Sequence, residues 1–192
     1  LMTHFASADE RDSSLMRQQL ARFDVLTQGR RSERSLANSA ALFAQPQSHA
    51  DWVRPGLALY GVSPFADQVG RSLGLTPAMR LVSTVIAVRK VSAGETVCYG
   101  GVWRAARDSQ VAIVAAGYGD GLPRALPNGT PVLIRGARGE LAGRVSMDMI
   151  AVDVTGIAGV QVGDAALLWG PELPVEEIAA HAGVGIGTVY RH

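Results

Sequence analysis

The punctuation of this chain changes at about Thr76, and that change limits the possible folds more than any other feature. Before it, apolar runs alternate with helical spacing. Residues 1–5 form a short apolar run, and Ser7-Ala8-Asp9-Glu10 has the S-x-x-E form of a capping box. Leu15, Met16, Leu20 and Phe23 then recur at helical spacing, which predicts an amphipathic helix over roughly residues 8–26. Residues 34–36 read as a second strand, Asn38-Ser39 as the cap of a brief helix over 40–43, and Val53-Arg54-Pro55-Gly56 as the lead into 57–61. A strand at the first residue implies that the chain begins in the middle of a fold.

After Thr76, short runs rich in Val, Ile and Leu follow one another at 81–91, 110–116, 131–135, 140–145, 149–154 and 165–169. Turn residues such as Pro127-Asn128-Gly129 and Gly163-Asp164 separate them, the pattern of a mainly antiparallel β domain. A last helix is predicted over 175–181, ahead of the glycine-rich 183–187. The fold class expected is therefore α/β plus all-β. Residues 1–75 would form the last βα units of a TIM-type barrel, and residues 76–192 the β domain. A closed eight-stranded barrel takes about 250 residues, and only about 65 here are barrel-like.

A net charge of +1 gives no electrostatic reason to expect nucleic acid or an anionic membrane as a partner. No apolar run of about 18 residues is present, and residues 1–10 lack the basic and apolar regions of a secretory signal. The lone Cys98 rules out a disulfide within the chain and fits a reducing cytoplasm. Of the 18 basic residues only Lys90 is a lysine, so amine chemistry must use Lys90 or a lysine from elsewhere.

Several short patterns bear chemistry. His4 follows a strand and precedes a helix, on the barrel face where active sites lie, although a hydrogen-bonded loop histidine would read the same. Ser39 places a hydroxyl at a helix start, suited to a phosphate or to plain capping. Arg54 precedes a rigid Pro-Gly turn, where it could donate to a buried ligand atom or face solvent. Tyr118 sits in Gly117-Tyr118-Gly119-Asp120-Gly121-Leu122-Pro123-Arg124, a stretch whose glycines and proline demand an unusual backbone. A tyrosine used as a base needs cations nearby, because its ordinary pKa is about 10.

In this order, His4 to Glu10, Asn38-Ser39-Ala40, 54–61, 117–121 and Gly143-Arg144-Val145-Ser146-Met147-Asp148 resemble the motifs of alanine racemases. The resemblance implies a pyridoxal-phosphate barrel joined to a β domain, working as a head-to-tail homodimer on alanine. It implies Tyr118 as the base for L-alanine, reaching the cofactor of the other subunit. Met147 and Asp148 would lie at the substrate carboxylate, and Ser39 and Gly56 at the cofactor phosphate. Arg54 would meet the pyridine nitrogen, His4 would link Arg54 to the tyrosine, and Tyr190 would take the place of a phosphate-binding tyrosine. No metal is implied. The lysine that carries the cofactor lies in the family within a lysine-alanine-aspartate stretch absent from these 192 residues, and Lys90 falls in the β-strand pattern. The expectation is a cytoplasmic racemase fragment, inactive alone. A non-catalytic β-domain binding module, a racemase split over two chains and a racemase of another amino acid such as serine remain as alternatives.

Overall fold

The computed structural model describes residues 1–10 and 12–189. Its contacts divide the chain into two compact units, Leu1–Ala78 and Met79–His192. Among the described residues no helix is long and apolar enough to cross a membrane.

In the first unit, helix α1 (Ser14–Thr27) buries Met16 and half-buries Leu20 and Phe23 on the same face. The S-x-x-E pattern does not cap it. Ser13 is the cap, accepting from the Met16 amide at 3.3 Å, while Ser7 Oγ meets Ser13 Oγ at 2.5 Å. Phe5 and Ala8 are buried in the same cluster as Met16, so the intervening residues fold as turns over that core. The helix therefore starts one serine later than its first signal. The strand expected at 1–5 is reduced to a parallel bridge between Met2 and Ser35.

Strand β1 (Ser35–Asn38) runs straight into helix α2 (Ser39–Ala44), where the Asn38 side chain accepts from the Ala41 amide at 3.0 Å. Strand β2 (Trp52–Arg54) returns parallel to β1, pairing Asn38 with Arg54. A helix between two parallel strands is one βα repeat of a barrel wall. A 3-10 turn, Leu57–Tyr60, follows and closes on Gly61.

The second unit contains β3 (Leu81–Val91), a small hairpin of β4 (Thr96–Val97) and β5 (Trp103–Arg104), then β6 (Ser109–Val114), β7 (Pro131–Ile134), β8 (Ala137–Leu141), β9 (Ile150–Asp153) and β10 (Ala165–Trp169). Six of these close into an antiparallel barrel in the order β10-β3-β6-β9-β8-β7, with β7 pairing back to β10. The long β3 makes closure possible: residues 81–84 pair with β10 and 85–91 with β6. Ile134, Leu141, Ile150, Val85 and Val114 fill the interior. Each such side chain contributes about 1.5–3 kcal/mol by leaving water.

One correction to the expected strands concerns bounds. The run read as 140–145 is a strand over Ala137–Leu141, because Arg135 and Gly136 both take positive φ and turn the chain early. Residues 142–145 leave the strand, held by the Ala142 amide on the Ala151 carbonyl at 2.8 Å. Helix α3 (Val175–Ala182) covers the barrel through buried Val175, Ile178 and Ala179, and a short helix α4 (Ile186–Val189) occupies part of the glycine-rich end. Tyr190 lies outside the described residues.

Candidate functional site

The residues singled out by the sequence fall into two groups, one in each unit. In the first unit they gather at the carboxyl ends of β1 and β2, where α/β barrels place ligands. Arg54, the last residue of β2, donates to Ser35 Oγ at 2.5 Å, to the Thr3 carbonyl at 2.8 Å and to the Leu36 carbonyl at 3.3 Å. Its Nη2 also lies 3.4 Å from Nδ1 of His4. Two neighbouring segments, 3–4 and 35–36, thus hold one guanidinium, and it sits against the histidine that the motifs pair with it.

Ser39 is buried at the start of α2, and its hydroxyl accepts from the Gly56 amide at 2.7 Å and the Ala58 amide at 3.3 Å. A hydroxyl and two backbone N–H groups therefore converge at one point. That donor set suits the oxygens of a phosphate, so the residues present fit the phosphate end of pyridoxal phosphate. Ala58 has no place in the motif reading. Only the 3-10 turn after Gly56 reveals it, because that turn aims the amides of Gly56 and Ala58 at the one Ser39 oxygen.

In the second unit, three segments meet at one surface of the barrel. Tyr118 and Gly119 donate their amides to the carbonyls of Ser146 and Met147, at 2.9 and 2.8 Å. A Cβ on Gly117 would overlap the Met147 carbonyl, so the close approach requires glycine there. The Asp120 carboxylate accepts from the Gly117 amide at 2.9 Å and locks the turn. Tyr118, Met147 and Asp148 are thus brought together, with the Arg124 guanidinium 5.4 Å from the centre of the Tyr118 ring.

The third segment was not singled out by the sequence. Tyr99 projects from the tip of the β4–β5 hairpin and is 73 % exposed, against 37 % for Tyr118. Cys98 before it has φ near +66°, and Cys98, Tyr99, Ser146 and Met149 line one cavity of about 540 Å³. The available signal was weaker, because Tyr99 is followed by Gly100-Gly101 but preceded by Cys98, whereas Tyr118 has glycine on both sides. Burial pushes the Cys98 thiol up, partly offset by the Ala151 backbone. Lys90 stands exposed on β3, paired in register with Gln110.

The first unit is a parallel βα segment with a hydroxyl and two amides at its strand ends, and the second is a closed antiparallel β barrel; together these are the elements of a barrel-plus-β-domain fold. Family models for the alanine racemase N-terminal domain and the alanine racemase C-terminal domain match residues 1–64 and 78–188. The chain is 57 % identical over 183 residues to the alanine racemase of Shewanella amazonensis, covering 95 % of this chain and 50 % of that protein. It superposes on the biosynthetic alanine racemase of Pseudomonas aeruginosa with a TM-score of 0.93 and 48 % identity, covering 98 % of this chain and 53 % of that one. The alanine racemase of Bartonella henselae, solved with covalently bound pyridoxal phosphate, matches with a TM-score of 0.86 and 32 % identity, over 98 % and 52 %. This chain belongs to the alanine racemase family, and it spans about half the length of the curated relatives it matches.

Proposed function

We propose that the chain supplies the phosphate grip and one proton-transferring base of an enzyme that interconverts L- and D-alanine with pyridoxal phosphate. The observation that carries this is the convergence of Ser39 Oγ with the Gly56 and Ala58 amides beside the Arg54–His4 contact. When bound, the cofactor supplies an electron sink for the carbanion at Cα. Ser39, Gly56 and Ala58 hold the phosphate. Arg54 would be the partner of the pyridine nitrogen and, because a guanidinium keeps its protons, would favour its unprotonated form. The backbone of Met147, with Asp148 beside it, receives the substrate carboxylate.

Racemisation needs a base on each face of Cα. One is a tyrosine of the second unit, acting on the site of a partner copy in a cytoplasmic homodimer. The motif assigns that base to Tyr118, which Arg124 overlies. Tyr99, about twice as exposed on the same unit, lines the approach to the site. The other base, which also carries the cofactor, is a lysine. Lys90 is the only lysine of the chain and belongs to the wall of the β barrel, so we place that lysine outside these residues.

Alanine racemisation, measured with added pyridoxal phosphate, tests the proposal on the chain alone and on the chain mixed with a polypeptide carrying the lysine half of a relative. Activity is expected only in the mixture. Replacing the true base by phenylalanine removes about 10²–10⁴-fold of the L-to-D rate, so Tyr99→Phe and Tyr118→Phe decide between the two tyrosines. Activity of the chain alone would overturn the placement of the lysine.

A further inference from the structure

Asn128 belongs to the Pro127-Asn128-Gly129 turn, and nothing in the proposed reaction uses it. Its backbone is fixed on both sides. Gly129 takes φ +84° and donates its amide to the Leu141 carbonyl at 3.0 Å, while the Thr130 hydroxyl donates to the Pro127 carbonyl at 2.7 Å. The Leu141 amide returns to the Thr130 carbonyl at 2.8 Å. The β7–β8 hairpin of the barrel therefore aims the Asn128 side chain, and both ends of its amide are in use. Nδ2 donates to the Val102 carbonyl at 3.1 Å, and Oδ1 accepts from the Gly143 amide at 2.7 Å.

Those two partners bound the two segments that carry Tyr99 and Met147. Val102 ends the turn that carries Tyr99, and Gly143 opens the 143–148 motif that carries Met147 and Asp148. Cys98 Sγ reaches the Ala142 carbonyl at 3.5 Å, and a Cβ on Gly143 would overlap the Cys98 side chain, so the segments also touch directly. Neither of those contacts has the directionality of the amide's paired bonds.

We infer that Asn128 is a positioning residue that clamps the tyrosine-bearing 98–102 turn to the 143–148 motif, setting where the base stands relative to the substrate carboxylate. The inference rests on the racemase reading of this surface. The clamp acts through backbone positions, so it serves the site whichever tyrosine is the base: the Tyr118 turn hangs from Ser146 and Met147 of the same motif.

Cys98 provides a reporter, because it is the chain's only cysteine and sits half-buried where the two clamped segments meet. Labelling of Cys98 in the full chain by dithiobis(nitrobenzoate) is compared between the wild type, Asn128→Ala and Asn128→Asp. The aspartate keeps the acceptor for Gly143 and loses the donor to Val102. Labelling is expected to be about three- to tenfold faster in Asn128→Ala, as loss of one exposed and one part-buried hydrogen bond predicts, and intermediate in Asn128→Asp. In the reconstituted mixture kcat should fall roughly tenfold while the KM for alanine stays within about twofold, the mark of misplacement rather than lost binding.

Should Asn128→Ala fail to melt cooperatively, the isosteric Asn128→Asp carries the comparison. Unchanged labelling overturns the clamp, even if kcat falls. Faster labelling with unchanged kcat overturns its role in positioning. If the wild-type mixture does not racemise alanine, the proposed function fails, while the labelling comparison still decides whether Asn128 clamps the two segments.

Discussion

In the first unit, strands β1 and β2 pair with each other and, among the described residues, gain only a bridge at Met2. In the second, six strands close on themselves and leave no edge. The contrast extends to side chains. Met2, Trp52, Leu59 and Tyr60 of the first unit stay exposed, whereas every residue of β7 is buried. A two-stranded sheet is marginal on its own, and a closed barrel satisfies its own backbone. The closed barrel frames the segments of Tyr99, Tyr118 and Met147, while the parallel pair that carries Ser39 and Arg54 rests on a smaller core.

The hardest test of that contrast is to make the units separately. The 79–192 polypeptide should unfold cooperatively in urea with a stability on the order of 5 kcal/mol, and the 1–78 polypeptide should show no cooperative transition. A sharp transition from 1–78 would break the comparison. Next in size are single truncations in the whole chain. Ile134→Ala, emptying a fully buried position in the barrel, should cost about 2–5 kcal/mol, whereas Trp52→Ala, at a site 59 % exposed, should stay within about 0.5 kcal/mol. Chemical denaturation of both variants sharpens or dissolves the difference.

The smallest effect concerns how α3 is fastened to the barrel. Arg138 on β8 holds Glu177 of α3 through both carboxylate oxygens. That contact lowers the Glu177 carboxyl below its ordinary range, chiefly through the hydrogen bond. A carboxyl depressed in the folded state adds stability above its unfolded pKa of about 4.3, and that stability is lost as pH falls through the lowered value. Glu177→Gln should therefore cost about 0.5 kcal/mol near neutrality, with the gap to wild type closing below about pH 4. Thermal melting across pH 3–7 would show it, and a constant gap would contradict the assignment.

Much of this was legible in the residues. Strand β3 and strand β10 have the bounds that the apolar runs predict, and Asn38 caps α2 as its residue type suggests. The pairing of Ser39 with Gly56 and of Arg54 with His4 followed from motif order alone. Other features were not legible. The cap of α1 went to Ser13 rather than Ser7, because two serines offered the same local signal and burial of Phe5 and Ala8 chose between them. Tyr99 escaped notice for a related reason. Its motif is shorter than that of Tyr118, and exposure on a hairpin tip is a property of packing.

The sequence by itself determined the periodicities, the turn chemistry and the family, since these rest on residue types and spacings along a line. Only the tertiary structure decided that six antiparallel strands close into a barrel, that 143–148 lies against 98–102 and 117–121, and that one asparagine ties two of those segments together. Closure and contact depend on which distant residues exclude water together, and hydrophobic burial is blind to separation along the chain.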